Sequence, residues 1–462
     1  MARGLDALTI RTLGRTAPPD EDWVDITYRT GSGSEREVRV RWNTYQPLEP
    51  SPFGDAQQAF AAAAGDPGRL AALGIDAQTT TVNLVRRDLF ARGWQTWQAA
   101  GADELPTELP GALRARICHT SIGDVLHVRI FTFLVPDPAA FVDEFLRLCH
   151  ARPSAGLIVD VRGNGGGDIR AAEQLLQVLT PRRIEPEPAQ FIVSPLIRQL
   201  CSANQRGEIN LSAWAKSVQD AVETGASFST GFPIGSADEA NSRGQGYYGP
   251  VVLVTDARCY SATDIFAAGF QDHGIGPVLG LAEYTGAGGA NVWTHDLLRQ
   301  LLPARNTPLK PLPRQATFRV AIRRTTRVGA HAGELLEDLG VASSEIHHST
   351  QDDLLQDNKD LLEAAAGLMA GRVARCLEAD FEPTAEGMTI QVRSAGLDRV
   401  DAYIDQRPVG SQDVRHDRCA FHVPHTLLGP GPQLRLAGFE RGVLAAVRVA
   451  AVPNPDRPAR RR

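Results

Sequence analysis

Lysine is nearly missing from this chain: only Lys216, Lys310 and Lys359 occur in 462 residues, so almost all of the positive charge is arginine. Long hydrophobic runs are missing too. The longest apolar stretches are strand length, which leaves no transmembrane helix, and Met1-Ala2-Arg3-Gly4 opens without the apolar core of a signal peptide. The six cysteines (Cys118, Cys149, Cys201, Cys259, Cys376 and Cys419) show no Cys-x-x-Cys and no Cys/His spacing of a zinc site, so free thiols of a reduced compartment are expected and no metal is. A cytoplasmic location follows, unless an export signal precedes Met1. With a net charge of −6 there is no general affinity for nucleic acid, and the basic tail at 451–462 reads as a solvated end.

What is present fills two or three domains, since 43% of the residues are apolar and one core cannot serve so long a chain. Residues 1–47 contain two alternating segments, Val24 to Tyr28 and Val38 to Trp42, joined by Gly31-Ser32-Gly33-Ser34. They predict a hairpin with one buried face, packed on later parts of the chain or on residues ahead of Met1. Residues 48–116, rich in Ala, Gly and Pro, read as a connector with helical stretches at 56–64 and 82–90. From Ile117 strands alternate with helices: a strand at 125–130, helices at 139–149 and 171–179, buried strands at 156–161 and 250–255, and a helix at 262–270. A strand at 316–323 and one helix at 354–370 complete an α/β unit at 117–372. Short alternating strands over 380–450 suggest a β-sandwich without a motif of its own.

Two turns of the α/β unit could carry chemistry. Arg162-Gly163-Asn164-Gly165-Gly166-Gly167 follows a buried strand, and its glycines let backbone N–H groups approach a ligand, or simply make a tight turn. It fits neither a phosphate loop nor a dinucleotide fingerprint. Tyr260-Ser261-Ala262-Thr263-Asp264 sits between a buried strand and a helix, where a serine is either an N-cap or a nucleophile beside backbone donors. Both lie after strands of one unit, where open α/β sheets bind ligands.

Leu157 to Gly167, Tyr260 to Ala268 with Gln271-Asp272, and Gly333 to Val341 resemble, in order, three motifs of the C-terminal-processing (tail-specific) serine peptidases, relatives of the tricorn core protease. The resemblance implies a crotonase- or ClpP-like peptidase core, with the first hairpin as part of a PDZ-like domain. It implies Ser261 as the nucleophile and backbone donors at Ala262 and at Gly165 or Gly166. Typical members carry a lysine in the loop after the nucleophile, and Ala287 stands at that position in Tyr284-Thr285-Gly286-Ala287-Gly288-Gly289. The tricorn-like branch takes a histidine from the strand at 125–130, where this chain has Arg129, with His127 two residues earlier. The base is therefore sought among histidines. His295, just beyond the altered loop, ranks first; His127, His273, His119 and His331 are the alternatives, and Glu337 of the late motif would orient the imidazole. Cys259 reads as a buried structural thiol.

The expectation is a serine endopeptidase that forms an acyl-enzyme at Ser261, uses no cofactor and takes peptide or protein substrates, with a homo-oligomer left open as its assembly. Its rival is a catalytically weak or inactive peptide-binding scaffold, and a crotonase-like acyl-transfer or lyase activity is a third reading.

Overall fold

The computed structural model describes residues 21–30, 32–41, 103–207, 209–289, 292–303, 307–313, 316 and 318–453. The helical stretches expected at 56–64 and 82–90, and the end of the basic tail, lie outside them.

The α/β unit is built on a seven-stranded sheet with the spatial order Glu345–Ile346, Val278–Gly280, Val251–Thr255, Leu157–Asp160, Gly123–Ile130, Leu113–Thr120, Glu104–Leu105. The first five strands run parallel, and the last two are antiparallel additions. Leu157–Asp160 and Val251–Thr255 are buried at every residue, as expected of central parallel strands covered on both faces. Helices Pro138–His150, Ile169–Val178 and Ala262–Asp272 pack on one face around Phe133, Phe141, Phe145 and Phe266. Helix Lys359–Met369 covers the other face through Leu361, Leu362, Ala365 and Met369. Local chemistry agrees with these elements. Pro138 opens its helix where a missing N–H costs nothing, and the Asp137 carboxylate caps it by accepting from Ala139 N at 2.8 Å.

A second core joins helices Pro195–Ala203, Ser212–Thr224 and His295–Leu301 to a small sheet of Arg323–Thr325, Pro188–Phe191 and Phe232–Pro233. Beyond Cys376, one sheet of three strands and one of four share a hydrophobic cluster that includes Met388, Ile390, Val400, Ile404, Leu434 and Leu436. That region is bolted to the α/β unit by the segment 244–248: Tyr248 Oη donates to Val447 O at 3.1 Å, and Val447 N donates to Gln245 Oε1 at 2.9 Å.

Three expectations change. The hairpin forms, Trp23–Arg29 against Glu35–Arg41, but every residue of its second strand is exposed, so among the described residues it has no buried face. The strand expected at 316–323 is two strands in different sheets, Arg319–Ala321 and Arg323–Thr325. The single helix at 354–370 is broken into Gln351–Leu355 and Lys359–Met369 by Asp357 and Asn358, both at positive φ (53° and 65°). The break has tertiary anchors: Arg116 pairs with the Asp357 carboxylate, and Arg162 Nη1 donates to Asn358 Oδ1 at 3.0 Å.

Candidate active site

Leu157–Asp160 and Val251–Thr255 are adjacent and parallel, with Asp160 opposite Val254. The turns that follow them must therefore meet beyond the sheet edge. Tyr260 N donates to Asn164 O at 3.1 Å, and Gly163 N donates to Asp256 Oδ1 at 2.9 Å. Gly166 lies at φ 102° directly against the serine: a Cβ there would stand 2.7 Å from Ser261 Cβ and 2.9 Å from Ala262 N.

Ser261 has φ 58° and ψ −125° and makes no side-chain cap hydrogen bond to its helix. A simple N-cap would have extended backbone and a hydroxyl turned onto the first turn. A non-glycine residue at this φ/ψ costs on the order of 1–3 kcal/mol and persists only where its surroundings enforce it. Enforcement is visible at Tyr260, whose ring fills the space over Gly286 and Gly288, either of which would collide with it if it carried a Cβ. Gly286 N also donates to Cys259 O at 2.8 Å. The loop bearing Ala287 is thus locked onto the turn bearing Ser261.

Asp264 fastens the same junction from below. It is fully buried, and its Oδ2 accepts from Gly288 N at 2.9 Å. Burial pushes its carboxyl up to about 7, against the opposing pull of the Thr285 hydroxyl and the Gly288, Ala287 and Ser261 amides. The late motif closes over the loop: Asp338 N donates to Ala287 O at 3.3 Å, Val341 N to Thr285 Oγ1 at 2.9 Å, and Leu336 packs on Gly289. Glu337, between Leu336 and Asp338, is carried to the Ala287 loop.

The two glycine amides are not equivalent. Gly166 N is spent on Asn164 Oδ1 at 2.9 Å, which removes it as a donor to an oxyanion. Among the described residues Gly165 N makes no hydrogen bond, and Ala262 N belongs to a first helical turn that has no intrahelical acceptor. Asn164, which fixes Gly166, is completely buried and was not singled out in the sequence; an Asn within a glycine run was its only signal.

The histidines disperse. His119 stands at the opposite end of the sheet, near the end of strand Leu113–Thr120, 2.7 Å from Asp124. His273 caps the far end of the helix that starts at Ala262, about 18 Å along its axis from Ser261. His331 is beside that same far end, half-buried and 3.2 Å from Glu334. His127 is buried in the sheet with both ring nitrogens engaged: Nε2 lies 3.2 Å from Asp160 Oδ2, and Nδ1 accepts from Arg116 Nε at 3.4 Å. Burial pushes its pKa down, so it is neutral and has no lone pair to spare. Arg129 and Arg162 complete the buried cluster on Asp160, which holds the Asp160 carboxyl well below its usual range against its desolvation. His295 is 2% exposed, packs on Phe318, and lies with Nδ1 3.7 Å from Asp296 Oδ1; among the described residues that nitrogen makes no hydrogen bond. The Cys259 thiol is completely buried and pushed far up by desolvation, which excludes a thiolate.

Residues 124–302 match the model of peptidase family S41. That match spans less than half of this chain. S41 members are serine-type peptidases, hydrolases acting on peptide or protein substrates. No curated protein matches. Among solved structures, mature CPAF complexed with lactacystin is 16% identical over 77% of this chain and 70% of its own, with a TM-score of 0.45. The photosystem II D1 C-terminal processing protease is 18% identical over 59% and 50%, at 0.31, and the tricorn protease 18% identical over 53% and 17%, at 0.26. Likeness at that level says nothing of this chain's activity. Among the described residues no group of three or more His, Cys, Asp or Glu could hold a metal, and no helix is long and apolar enough to cross a membrane.

Proposed function

We propose that this S41-like core is a serine endopeptidase working through Ser261. The observation that carries the reading is the Ser261 backbone, φ 58° and ψ −125°, held at a strand-to-helix turn by Gly166 and Tyr260 with no capping role for the hydroxyl. In this reading Ser261 Oγ attacks the scissile carbonyl and its proton passes to a base. The Ala262 and Gly165 N–H groups receive the developing oxyanion, the proton returns to the leaving amine, and water then hydrolyses the acyl-enzyme. His295 is the base we assign: among the described residues its Nδ1 makes no hydrogen bond, and it follows the loop that carries Ala287. Glu337 would balance the imidazolium. No metal or organic cofactor enters these steps.

The test is labelling by a fluorophosphonate probe together with peptide cleavage. Ser261→Ala is expected to abolish both at unchanged Tm, and His295→Asn to lower the labelling rate about 100-fold or more. Ala287 at the family's lysine position favours the second reading, a peptide-binding scaffold. Absent labelling in the native chain, with peptide affinity unaltered in Ser261→Ala, would decide for it.

A further inference from the structure

Among the described residues, the buried cation Arg323 has no counter-ion. It is 6% exposed, and among the described residues it forms no ion pair and its Nε has no hydrogen-bond partner. Its neighbours are aromatic: the guanidinium carbon lies 5.3 Å from the centroid of Phe191, its cross-strand partner, and 5.5 Å from that of Trp293. The two rings stand nearly perpendicular, at 86°, so the guanidinium occupies the corner between them. Ring quadrupoles offset part of a cation's desolvation, but they do not replace a counter-ion. The nearby titratable group, Cys201, is a neutral thiol pushed up to about 12 by burial. Desolvation also pulls the Arg323 guanidinium down to about 10, still charged at neutral pH.

A second donor in the same corner is unmatched. Trp293 is 1% exposed and among the described residues its Nε1 has no acceptor, although a buried indole N–H ordinarily finds one. With the guanidinium carbon 5.5 Å from the indole centroid, the two unmatched donors belong to one corner of this second core, where a single anionic group would serve both. The walls favour a small, planar, singly charged group, and the arginine fork matches carboxylate geometry.

We propose that Arg323 and Trp293 form a binding site for a carboxylate. The site does not depend on Ser261 as a nucleophile. It does adjoin the reactive loop: Thr325, next on the same face of the strand, donates from Oγ1 to Gly289 O at 2.7 Å, two residues beyond Ala287. The carboxylate could come from a free small acid or from the C-terminus of a peptide, and the test separates these sources.

The full-length chain carrying Ser261→Ala, which leaves peptides intact, is titrated by calorimetry and by Tm against sodium acetate, with sodium chloride matching ionic strength. Acetyl-trialanine as the free acid and as the amide are titrated alongside. Saturable stabilisation by acetate is expected. Arg323→Met should weaken it by about 10- to 100-fold, the loss of a charge-assisted pair. Trp293→Phe, which keeps a ring and removes the N–H, should weaken it by about three- to tenfold. Tighter binding of the peptide acid than of acetate, lost on amidation, assigns the site to peptide termini; acetate binding with no response to the peptide acid assigns it to free acids. Absence of saturable binding by both overturns the proposal, as does Trp293→Phe binding as tightly as its parent. Should Arg323→Met fail to fold, the parent titration and Trp293→Phe still decide.

Discussion

Replacing Gly166 by alanine tests whether the glycine turn sets the geometry of Ser261. The added Cβ would stand 2.7 Å from Ser261 Cβ, 2.8 Å from Tyr260 O and 2.9 Å from Ala262 N. Relief to an ordinary carbon contact of about 3.5 Å or more requires a shift approaching 1 Å. All three atoms belong to the nucleophile turn, so that turn must give way. Misplacing a reacting group by about 1 Å costs roughly 100-fold in rate. Alanine at φ 102° adds conformational strain of about 1–3 kcal/mol, and overpacking about 1–3 kcal/mol more. Gly163→Ala is the matched control: its φ is 68°, but the nearest atom, Arg258 Nη2, is 4.0 Å away. That variant should lose about 1–2 kcal/mol of stability and label normally. Fluorophosphonate labelling rates and chemical denaturation of the two variants give the comparison. Equal labelling in Gly166→Ala and Gly163→Ala would refute the argument that the glycine turn buttresses Ser261.

Glu173 is 3% exposed, and burial with its acidic neighbours pushes its carboxyl up from 4.5 to about 8. The folded chain therefore keeps a proton that the unfolded chain releases, and stability falls by roughly 1.4 kcal/mol per pH unit between about pH 4.5 and pH 8. Glu173→Gln should flatten the denaturation midpoint across pH 5 to 8, with Glu187, shifted the same way, sustaining the remaining slope; an unchanged slope would contradict the assignment. Asp272 ends the Ser261 helix in a buried pair with Arg327. Arg327→Met alone should cost about 3–5 kcal/mol by stranding the carboxylate, and Asp272→Asn in the same chain should restore much of it, as a double-mutant cycle reads directly.

Legibility in the sequence followed the range of the forces involved. Strands such as Val251–Thr255 and helices such as Pro138–His150 were readable because burial imposes a local period and Asp137-Pro138 is a local cap. Ser261 could be placed at a strand-to-helix turn, but whether it capped the helix depended on φ and ψ values imposed from outside by Gly166, Tyr260 and the 285–289 loop. The same distinction explains the oxyanion donors. Gly165 and Gly166 are indistinguishable as letters, and a single hydrogen bond to Asn164 Oδ1 separates them. Asp357-Asn358 was legible in principle, since both residues tolerate positive φ, yet the apolar period on either side outweighed them. Arg323 is the opposite case. Its segment reads as an alternating strand, while burial against Phe191 and Trp293 arises from segments more than a hundred residues apart in the first case and thirty in the second. A pairwise alternation rule assigns such an arginine to solvent. Only the fold reveals that its charge was desolvated without a partner, which is why the residue that most demands a ligand carries no signal in its own sequence neighbourhood.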